Sequence, residues 1–200
     1  MSNDQTVFIV DDDEGVRDGL SLLLDTVGQP CELYECGGDF LDAYDDNKRG
    51  CLVLDIRMPR MTGLDLQKKL QEMGSTLPII FITGHGDVPM AVDAMQKGAV
   101  DFIQKPFRDQ DLLDRIREAL KTDQERREEQ QKHAEVAERL ARLTNREREV
   151  FDLVVTGKPN KVIAYELGVS QRTVEIHRAR VMEKMQARSL ADLVKMHMTA

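Results

Sequence analysis

The stretch Cys51-Leu52-Val53-Leu54-Asp55-Ile56-Arg57-Met58-Pro59 decides the fold of this 200-residue chain. A short apolar run that ends at a turn signal is typical of a strand buried on both faces, as in a parallel sheet. Pro59 disfavours a helical conformation at Met58, so the chain is expected to leave the strand as a loop. Asp55 is therefore predicted at the carboxyl end of a central strand, where open α/β sheets place their functional groups.

Four further apolar runs alternate with segments of helical periodicity. The predicted strands are 6–10, 31–34, 51–55, 78–83 and 100–104, and the predicted helices are 15–27, 38–44, 63–73, 88–97 and 109–120. Asp13 and Glu14 are predicted to cap and begin the first helix. Five strands that alternate with five helices predict an α/β, doubly wound, five-stranded parallel sheet with helices on both faces.

Composition narrows the class of protein. The chain is 41 % hydrophobic and 32 % charged, which is typical of a globular protein. Its apolar runs are shorter than the roughly 20 residues of a membrane helix. No secretory signal pattern is visible at the N-terminus. The three cysteines lack metal-ligand spacing and are expected to be free thiols. We therefore expect a cytoplasmic protein without a membrane partner.

The net charge of −8 is unevenly distributed. Residues 1–120 hold 12 basic and 23 acidic side chains, a net charge of −11. Residues 121–142 hold six of each, and residues 143–200 hold ten basic and seven acidic side chains, a net charge of +3. This asymmetry favours a nucleic-acid contact at the C-terminal end alone. The predicted organisation is a first domain at 1–121, a connector at 122–142 and a second domain at 143–200.

Polar residues stand at the ends of four predicted strands. Asp11 and Asp12 end the first strand, Asp55 the third and Thr83 the fourth, and Lys105 follows the fifth. Because the carboxyl ends of parallel strands lie at one edge, these groups are expected to converge. Neighbouring carboxylates repel unless a cation neutralises them, and hard oxygen ligands favour Mg²⁺. Such a site is suited to phosphoryl transfer, with Asp55 as nucleophile and with Lys105 and Thr83 stabilising the transferred group.

Residues 5–121 resemble the response-regulator receiver domain. The resemblance is carried by Val10-Asp11-Asp12, Leu54-Asp55-Ile56-Arg57-Met58-Pro59, Thr83-Gly84, Phe102 and Lys105-Pro106. It implies a flavodoxin-like strand order of 2-1-3-4-5 and phosphotransfer to Asp55 from a phosphohistidine of a sensor histidine kinase. It also implies Mg²⁺ held by Asp12, Asp55 and the Arg57 carbonyl, with Asp11 acting through water. The Lys105–Pro106 bond is expected to be cis.

Two features of the resemblance concern signalling. Thr83 and Phe102 are similar to the switch pair of receivers, in which the hydroxyl moves to the phosphoryl group and the ring turns inward. The stretches 83–91 and 98–103 narrow the resemblance to the FixJ branch. This branch implies that phosphorylated receivers pair into a homodimer through the fourth helix and fifth strand.

The connector is polar and free of Gly and Pro, and its structure is left open between two interpretations. Good helix formers at Glu-to-Arg and Glu-to-Lys spacings favour a solvated helix that extends the fifth one. A flexible linker is the alternative. Val136, Leu140 and Leu143 form a short apolar seam, but the sustained heptads of a coiled coil are missing.

The second domain is predicted to be small and all-helical. The helices are expected at 145–156, 161–167, 171–185 and 189–198, with a capping box formed by Thr144 and Glu147. Asn160 and Ser170 are predicted as the N-caps of the second and third helices. The third helix should bury Val174, His177 or Arg178, Val181 and Met185. A short helix, a tight turn and a basic helix form a helix-turn-helix.

Residues 143–198 resemble the LuxR/NarL-type helix-turn-helix, through 143–150, 160–164 and 170–177. The resemblance implies a recognition helix in the major groove of double-stranded promoter DNA. The residues expected to face bases are Thr173, Glu175, Ile176 and Ala179, and those expected to face phosphates are Lys161, Arg172 and Arg180. Many relatives have lysine at positions 175 and 179. Glu175 is suited to accept a hydrogen bond from cytosine N4, and Ala179 to contact a thymine methyl.

Together these features resemble a FixJ-type two-component transcriptional regulator that acts with RNA polymerase. Two other classes of protein are alternatives. A Mg²⁺-dependent phosphohydrolase with an aspartyl nucleophile usually carries an acid two residues further on, where this chain has Arg57. We therefore expect no enzymatic activity beyond self-phosphorylation and autodephosphorylation at Asp55. A DNA-binding protein whose receiver no longer senses phosphate is disfavoured by the complete Asp, Thr and Lys set.

Overall fold

The computed structural model of the chain describes residues 5–84 and 88–199. These residues form two compact units, Met1–Arg126 and Arg127–Ala200. Residues 85–87, which belong to the stretch resembling the FixJ branch, lie outside the described residues. In the described part of the chain, no helix combines the length and the apolar character needed to cross a membrane.

The first unit alternates strands and helices. Its elements are β1 (Thr6–Val10), α1 (Glu14–Thr26), β2 (Cys31–Tyr34), α2 (Gly37–Ala43), β3 (Gly50–Asp55), α3 (Gly63–Glu72), β4 (Ile79–Thr83), α4 (Val88–Gln96), β5 (Asp101–Gln104) and the first half of α5 (Asp109–Ala141). The strands are all parallel and lie in the order β2-β1-β3-β4-β5. The predicted doubly wound parallel sheet and its order 2-1-3-4-5 are confirmed.

The central strands are buried on both faces of the sheet, which explains why they read as continuous apolar runs. One hydrophobic cluster contains Leu52 and Leu54 of β3. A second cluster contains Val53 and Ile80 and is covered by α1 and α5. Because side chains alternate along a strand, each face of β3 supplies its own core and leaves Asp55 at the strand end.

Helix starts in the first unit follow local capping chemistry. Asp13 is the N-cap of α1, where its side chain accepts a hydrogen bond from the Val16 backbone at 3.2 Å, as predicted. Thr62 and Asp65 form a capping box at α3. The predicted bounds of the strands and of the helices other than α5 lie within one residue of those observed.

Helix α5 continues through the connector and is 33 residues long. The connector is therefore a helix that extends the fifth one, and the alternative of a flexible linker is wrong. Asp123, near the middle of α5, is buried and accepts hydrogen bonds from the Gly50 backbone and the Gln5 side chain. Val136 and Leu140, near its end, are buried in the hydrophobic core of the second unit.

The second unit contains four further elements: the helices α6 (Asn145–Val155), α7 (Asn160–Leu167), α8 (Gln171–Met185) and α9 (Leu190–Thr199). The capping box of Thr144 and Glu147 and the N-cap role of Ser170 are found as predicted. The N-cap assigned to Asn160 is wrong, because Pro159 occupies that position. Asn160 is the first residue of α7, and its side chain accepts a hydrogen bond from Arg178 of α8 instead.

Gly63 sets how closely α3 approaches β3. A Cβ atom at this position would lie 2.3 Å from the Asp55 carbonyl oxygen and 3.0 Å from the Phe81 ring. No side chain larger than hydrogen fits there without moving the backbone of the strand that carries Asp55. Gly19, on the exposed face of α1, has nothing within 4 Å of the equivalent position.

We expect Gly63→Ala to destabilise the first unit by about 1–3 kcal/mol, because the added methyl group overpacks a buried contact. Gly19→Ala is the matched control and should stabilise it by about 0.5–1 kcal/mol, since alanine is the better helix former. Urea unfolding followed by far-UV circular dichroism measures both changes. An equal effect of the two substitutions would contradict this account of Gly63.

Candidate functional site

The predicted site residues of the first unit lie at one edge of the sheet. Asp11 directly follows β1, Asp55 and Thr83 are the last residues of β3 and β4, and Lys105 directly follows β5. The register pairs Asp55 with Ile82, one residue before Thr83, so these two polar residues lie on neighbouring strand ends. The parallel sheet thus brings together residues that are up to 94 positions apart.

Lys105 bridges the two carboxylates at this edge. Its Nζ atom lies 2.8 Å from Asp11 Oδ2 and 2.9 Å from Asp55 Oδ1. The second oxygen of Asp55 accepts a hydrogen bond from the Arg57 backbone at 2.6 Å, and that of Asp11 accepts one from the Asp13 backbone at 2.9 Å. Asp11 is only 1 % exposed, so this ion pair is largely removed from water.

The electrostatics of the site follow from two carboxylates that share one cation. Burial raises the pKa of Asp55; the ion pair with Lys105 opposes this effect, and the nearby charge of Asp11 adds to it. Burial lowers the pKa of Lys105, but its hydrogen bonds to Asp11 and Asp55 outweigh burial and raise that pKa overall. Lys105 is therefore held as a cation, and the pair of carboxylates retains an uncompensated negative charge.

Thr83 and Phe102, the two residues of the predicted switch, differ in their burial. Thr83 is 2 % exposed, and its hydroxyl donates to the Gly84 carbonyl at 3.1 Å. Phe102 is partly buried and packs against the core cluster that contains Phe81. The Lys105–Pro106 peptide bond is cis, as the resemblance implied. The conformational exchange between Thr83 and Phe102 stays a prediction.

The metal ligands are only partly brought together. Asp12 is exposed, and in the described part of the chain its side chain makes no hydrogen bond or ion pair. No group of three or more His, Cys, Asp or Glu residues among residues 5–84 and 88–199 is arranged to hold a metal ion. The carboxylate oxygens that the structure brings together at this edge are those of Asp11 and Asp55, which are hard donors that suit Mg²⁺.

Arg17 is a neighbour of the site that sequence reasoning missed. Its guanidinium donates to the Asp11 carbonyl at 2.7 Å and so supports the backbone that precedes Asp12. Its position in the first turns of α1 could have indicated this contact, since that helix begins directly after the acidic run. Gly63 was also missed, because close backbone approach leaves no signal in the apolar pattern.

In the second unit, α7, a turn and α8 form the predicted helix-turn-helix. Gly168 takes the left-handed conformation in the turn, with φ of 65°. Val174, Val181 and Met185 are buried, as predicted, whereas His177 and Arg178 are only half-buried. The predicted DNA-facing residues Lys161, Arg172, Glu175, Ile176, Ala179 and Arg180 are all exposed.

Ile176 and Thr173, two of the residues predicted to face bases, differ in their exposure to solvent. Ile176 is 49 % exposed, an unusual degree for an isoleucine, and it is free to contact a partner. Thr173 is half-buried, and its hydroxyl lies 2.8 Å from the hydroxyl of Ser170. The hydroxyl of Thr173 therefore takes part in the N-terminal capping of α8.

The basic residues of 143–199 are unevenly compensated. Four of them form ion pairs: Arg146 with Glu149, Arg148 with Asp152, Lys158 with Glu166 and Lys184 with Glu147. The other six have no ion pair within this described range: Lys161, Arg172, Arg178, Arg180, Arg188 and Lys195. Four of these six lie on α7 and α8. Their uncompensated charge is the footprint expected of a surface that binds phosphates.

Comparison with known proteins agrees with this architecture. Residues 7–117 match the family model "Response regulator receiver domain", and residues 141–197 match "Bacterial regulatory proteins, luxR family". The chain is 44 % identical to the transcriptional regulatory protein FixJ of Azorhizobium caulinodans, over 100 % of this chain and 95 % of that protein. It is 44 % identical to the response regulator protein TodT of Pseudomonas putida, over 94 % and 83 % of the two chains.

Solved structures give the same result. The response regulator StyR is 44 % identical, with a TM-score of 0.90 over 98 % of this chain and 99 % of that one. Full-length FixJ from B. japonicum is 42 % identical, with a TM-score of 0.62 over 98 % and 96 %. The fold and the two matched regions define a response regulator that acts as a transcription factor. The chain belongs to the FixJ-type regulators, with a receiver domain and a LuxR-type DNA-binding domain.

Glu147 connects the start of α6 to the end of α8. Its Oε2 atom accepts hydrogen bonds from Lys184 Nζ at 2.6 Å and from the Thr144 backbone at 2.8 Å. Glu147 is 2 % exposed. The hydrogen bond with Lys184, together with the bond from Thr144, lowers the pKa of Glu147 to about 2. Its folded-state pKa thus lies below its unfolded value, so the charged form stabilises the fold above about pH 4.5, and this stabilisation is lost as the pH falls towards 2.

We expect Glu147→Gln to destabilise the second unit by about 1–2 kcal/mol at pH 7, because glutamine keeps the cap but loses the charge opposite Lys184. Differential scanning calorimetry of the full chain should show the difference from wild type narrowing between pH 4.5 and pH 3. Glu149→Gln, an exposed residue of the same helix, is the control and should have little effect. A difference that grows as the pH falls would contradict the assignment.

Proposed function

We propose that Asp55 accepts a phosphoryl group from a sensor histidine kinase and that this modification switches on DNA binding by a receiver-paired homodimer. The observation that carries the proposal is the buried bridge of Asp11, Lys105 and Asp55 at the sheet edge. A strand end holds the Asp55 carboxylate, and a fixed ammonium group lies within hydrogen-bonding distance of it. This is an arrangement for nucleophilic attack on phosphorus.

The transfer step exchanges one bond to phosphorus for another. An Asp55 carboxylate oxygen attacks the phosphorus atom of the phosphohistidine, the P–N bond breaks, and the imidazole leaves with the electron pair. Lys105 neutralises charge on the transferred phosphoryl oxygens. Asp55 gains about one negative charge, and the hydroxyl of Thr83 is placed at the adjacent strand end to donate to the phosphoryl group.

The acidic edge fits a divalent cation, because Asp11 and Asp55 together carry more negative charge than Lys105 compensates. We propose that the residues that hold Mg²⁺ are Asp12, Asp55 and the Arg57 carbonyl, with Asp11 acting through water. When bound, Mg²⁺ supplies charge neutralisation to the phosphoryl oxygens. The exposed Asp12 is free to contribute, since no other residue in the described part of the chain engages its side chain.

We propose that the chain turns over no external substrate. The residue two positions after Asp55 is Arg57, which is not a proton donor at neutral pH. Hydrolysis of the acyl phosphate at Asp55 is then the only reaction that follows transfer. The protein works as a switch whose signal decays by autodephosphorylation.

DNA binding requires two output domains in this proposal. The net charge of +3 over 143–200 is a weak electrostatic footprint, so one domain alone should bind poorly. Phosphorylated receivers that pair through α4 and β5 raise the effective concentration of the second domain on a promoter with two half-sites. The bound dimer then acts on RNA polymerase at promoter DNA, in the cytoplasm.

Asp55→Asn should abolish acyl-phosphate formation from acetyl phosphate and Mg²⁺ while leaving the fold intact, because asparagine is nearly isosteric but not nucleophilic. Phosphate-affinity gel electrophoresis, with hydroxylamine sensitivity as the mark of an acyl phosphate, measures the modification. Asp42→Asn changes an exposed carboxylate of α2 and is the control. Labelling that survives in Asp55→Asn would refute the site assignment.

The second test concerns coupling to DNA. Treatment with acetyl phosphate should shift the gel-shift titration of wild type to lower protein concentration and leave that of Asp55→Asn unchanged. A switch from mostly off to mostly on requires several kcal/mol of differential stabilisation, so the shift should exceed tenfold. Identical titrations of treated and untreated wild type would favour a receiver that no longer senses phosphate.

A further inference from the structure

Arg178 and Asn160 connect the two helices of the helix-turn-helix. Nη1 of Arg178, on α8, donates a hydrogen bond to Oδ1 of Asn160, the first residue of α7, at 3.0 Å. Asparagine is a poor helix former, and here it does not cap the helix either. Its place in α7 is explained by its bond to Arg178.

This hydrogen bond leaves the charge of Arg178 uncompensated. Glu175 lies three residues earlier on α8, a spacing suited to an ion pair, but its carboxylate accepts a hydrogen bond from Gln171 at 3.4 Å instead. Within the described range 143–199, Arg178 has no ion pair and no other hydrogen bond. A guanidinium carries five N–H donors, and the bond to Asn160 is the one hydrogen bond that Arg178 makes within this range.

A neutral partner orients an arginine without neutralising it. A free arginine side chain loses rotamer entropy when a ligand fixes it, and the hydrogen bond to Asn160 has already restricted Arg178. By contrast, Arg148 on α6 is paired with Asp152 at 3.3 Å, so its charge is offset by a carboxylate. A carboxylate therefore offsets the charge of Arg148, whereas Arg178 keeps its positive charge for an anionic partner.

The location of Arg178 indicates which anion it meets. The first helix of a helix-turn-helix crosses the DNA backbone, and Arg178 is tied to the first residue of that helix. Lys161, the next residue of α7, is exposed and has no ion pair in the described part of the chain. Two uncompensated cations thus lie at the junction between the start of α7 and α8.

We propose that Arg178 binds a phosphate of the duplex DNA backbone and that Asn160 is its positioning residue. The contact adds affinity for any duplex, because a phosphate carries no base information. This inference rests on the proposed DNA-binding function. It adds a residue that the sequence pattern offers, as an alternative to His177, for the buried face of α8.

The test measures how the affinity for DNA depends on salt. The full chain, treated with acetyl phosphate, is titrated by fluorescence anisotropy against a duplex of arbitrary sequence at several salt concentrations. Arg178→Gln should weaken binding and reduce the slope of log K against log salt by about 0.9, the value for one lost phosphate contact. Arg178→Lys keeps the charge and should keep the slope. Arg148→Gln is the matched control and should leave affinity and slope unchanged.

Asn160→Ala tests the positioning role separately. It removes no charge, so binding should weaken severalfold with the slope unchanged. The effect should disappear in the Arg178→Gln background, because Asn160 acts only through Arg178. Thermal unfolding of each variant monitors the fold, and a purely structural role would weaken stability and DNA binding together in both backgrounds.

Each outcome decides the inference. A wild-type slope in Arg178→Gln would overturn the phosphate contact. An effect of Asn160→Ala that persists without Arg178 would overturn the positioning role. If wild type itself binds no duplex at any salt concentration, the proposed DNA-binding function fails as well. If wild type and Arg178→Gln both bind normally, only the inference about Arg178 fails.

Discussion

The ion pair of Lys105 with Asp11 and Asp55 is the interaction on which the rest of the structure depends. Two acidic groups are removed from water at the end of a sheet, and one ammonium group holds them both. This is stable only because three strand ends lie at the same edge, so the hydrogen bonds are short and the remaining oxygens accept backbone N–H groups. The uncompensated negative charge that remains favours the binding of a cation, and a cation is also what the negative oxygens of a phosphoryl group require.

The second unit shows the opposite balance of charge. Several of its carboxylates form ion pairs within the unit. Glu147 pairs with Lys184 and also caps α6, and Glu166 pairs with Lys158. Apart from Lys184, the cations of α7 and α8 have no ion pair within the described range 143–199. A modest net charge of +3 over 143–200 is thereby concentrated on the helices that belong to the DNA-binding motif. Local compensation, more than net charge, makes this surface basic.

Sequence reasoning succeeded for features that depend on residues a few positions apart in the chain. Apolar runs and helical periodicity gave bounds within one residue for every element except α5. Capping residues such as Asp13, Thr144 and Ser170 were found where expected. It failed at Asn160. Asparagine favours the N-cap position, but here its side-chain oxygen accepts a hydrogen bond from Arg178, 18 positions away in the sequence. A cap and an interhelical bond use the same amide oxygen, and only packing decides between them.

The order of residues along the chain by itself determined the strands, the helices and the residue types at the strand ends, because periodicity and capping act over a few positions. It also indicated which side chains would converge, since parallel strands share one edge. The tertiary structure alone decided that Lys105 reaches both Asp11 and Asp55, that Asp12 remains exposed, and that Arg178 is tethered by a neutral group. These outcomes depend on distances between side chains far apart in sequence, which are set only when the cores pack.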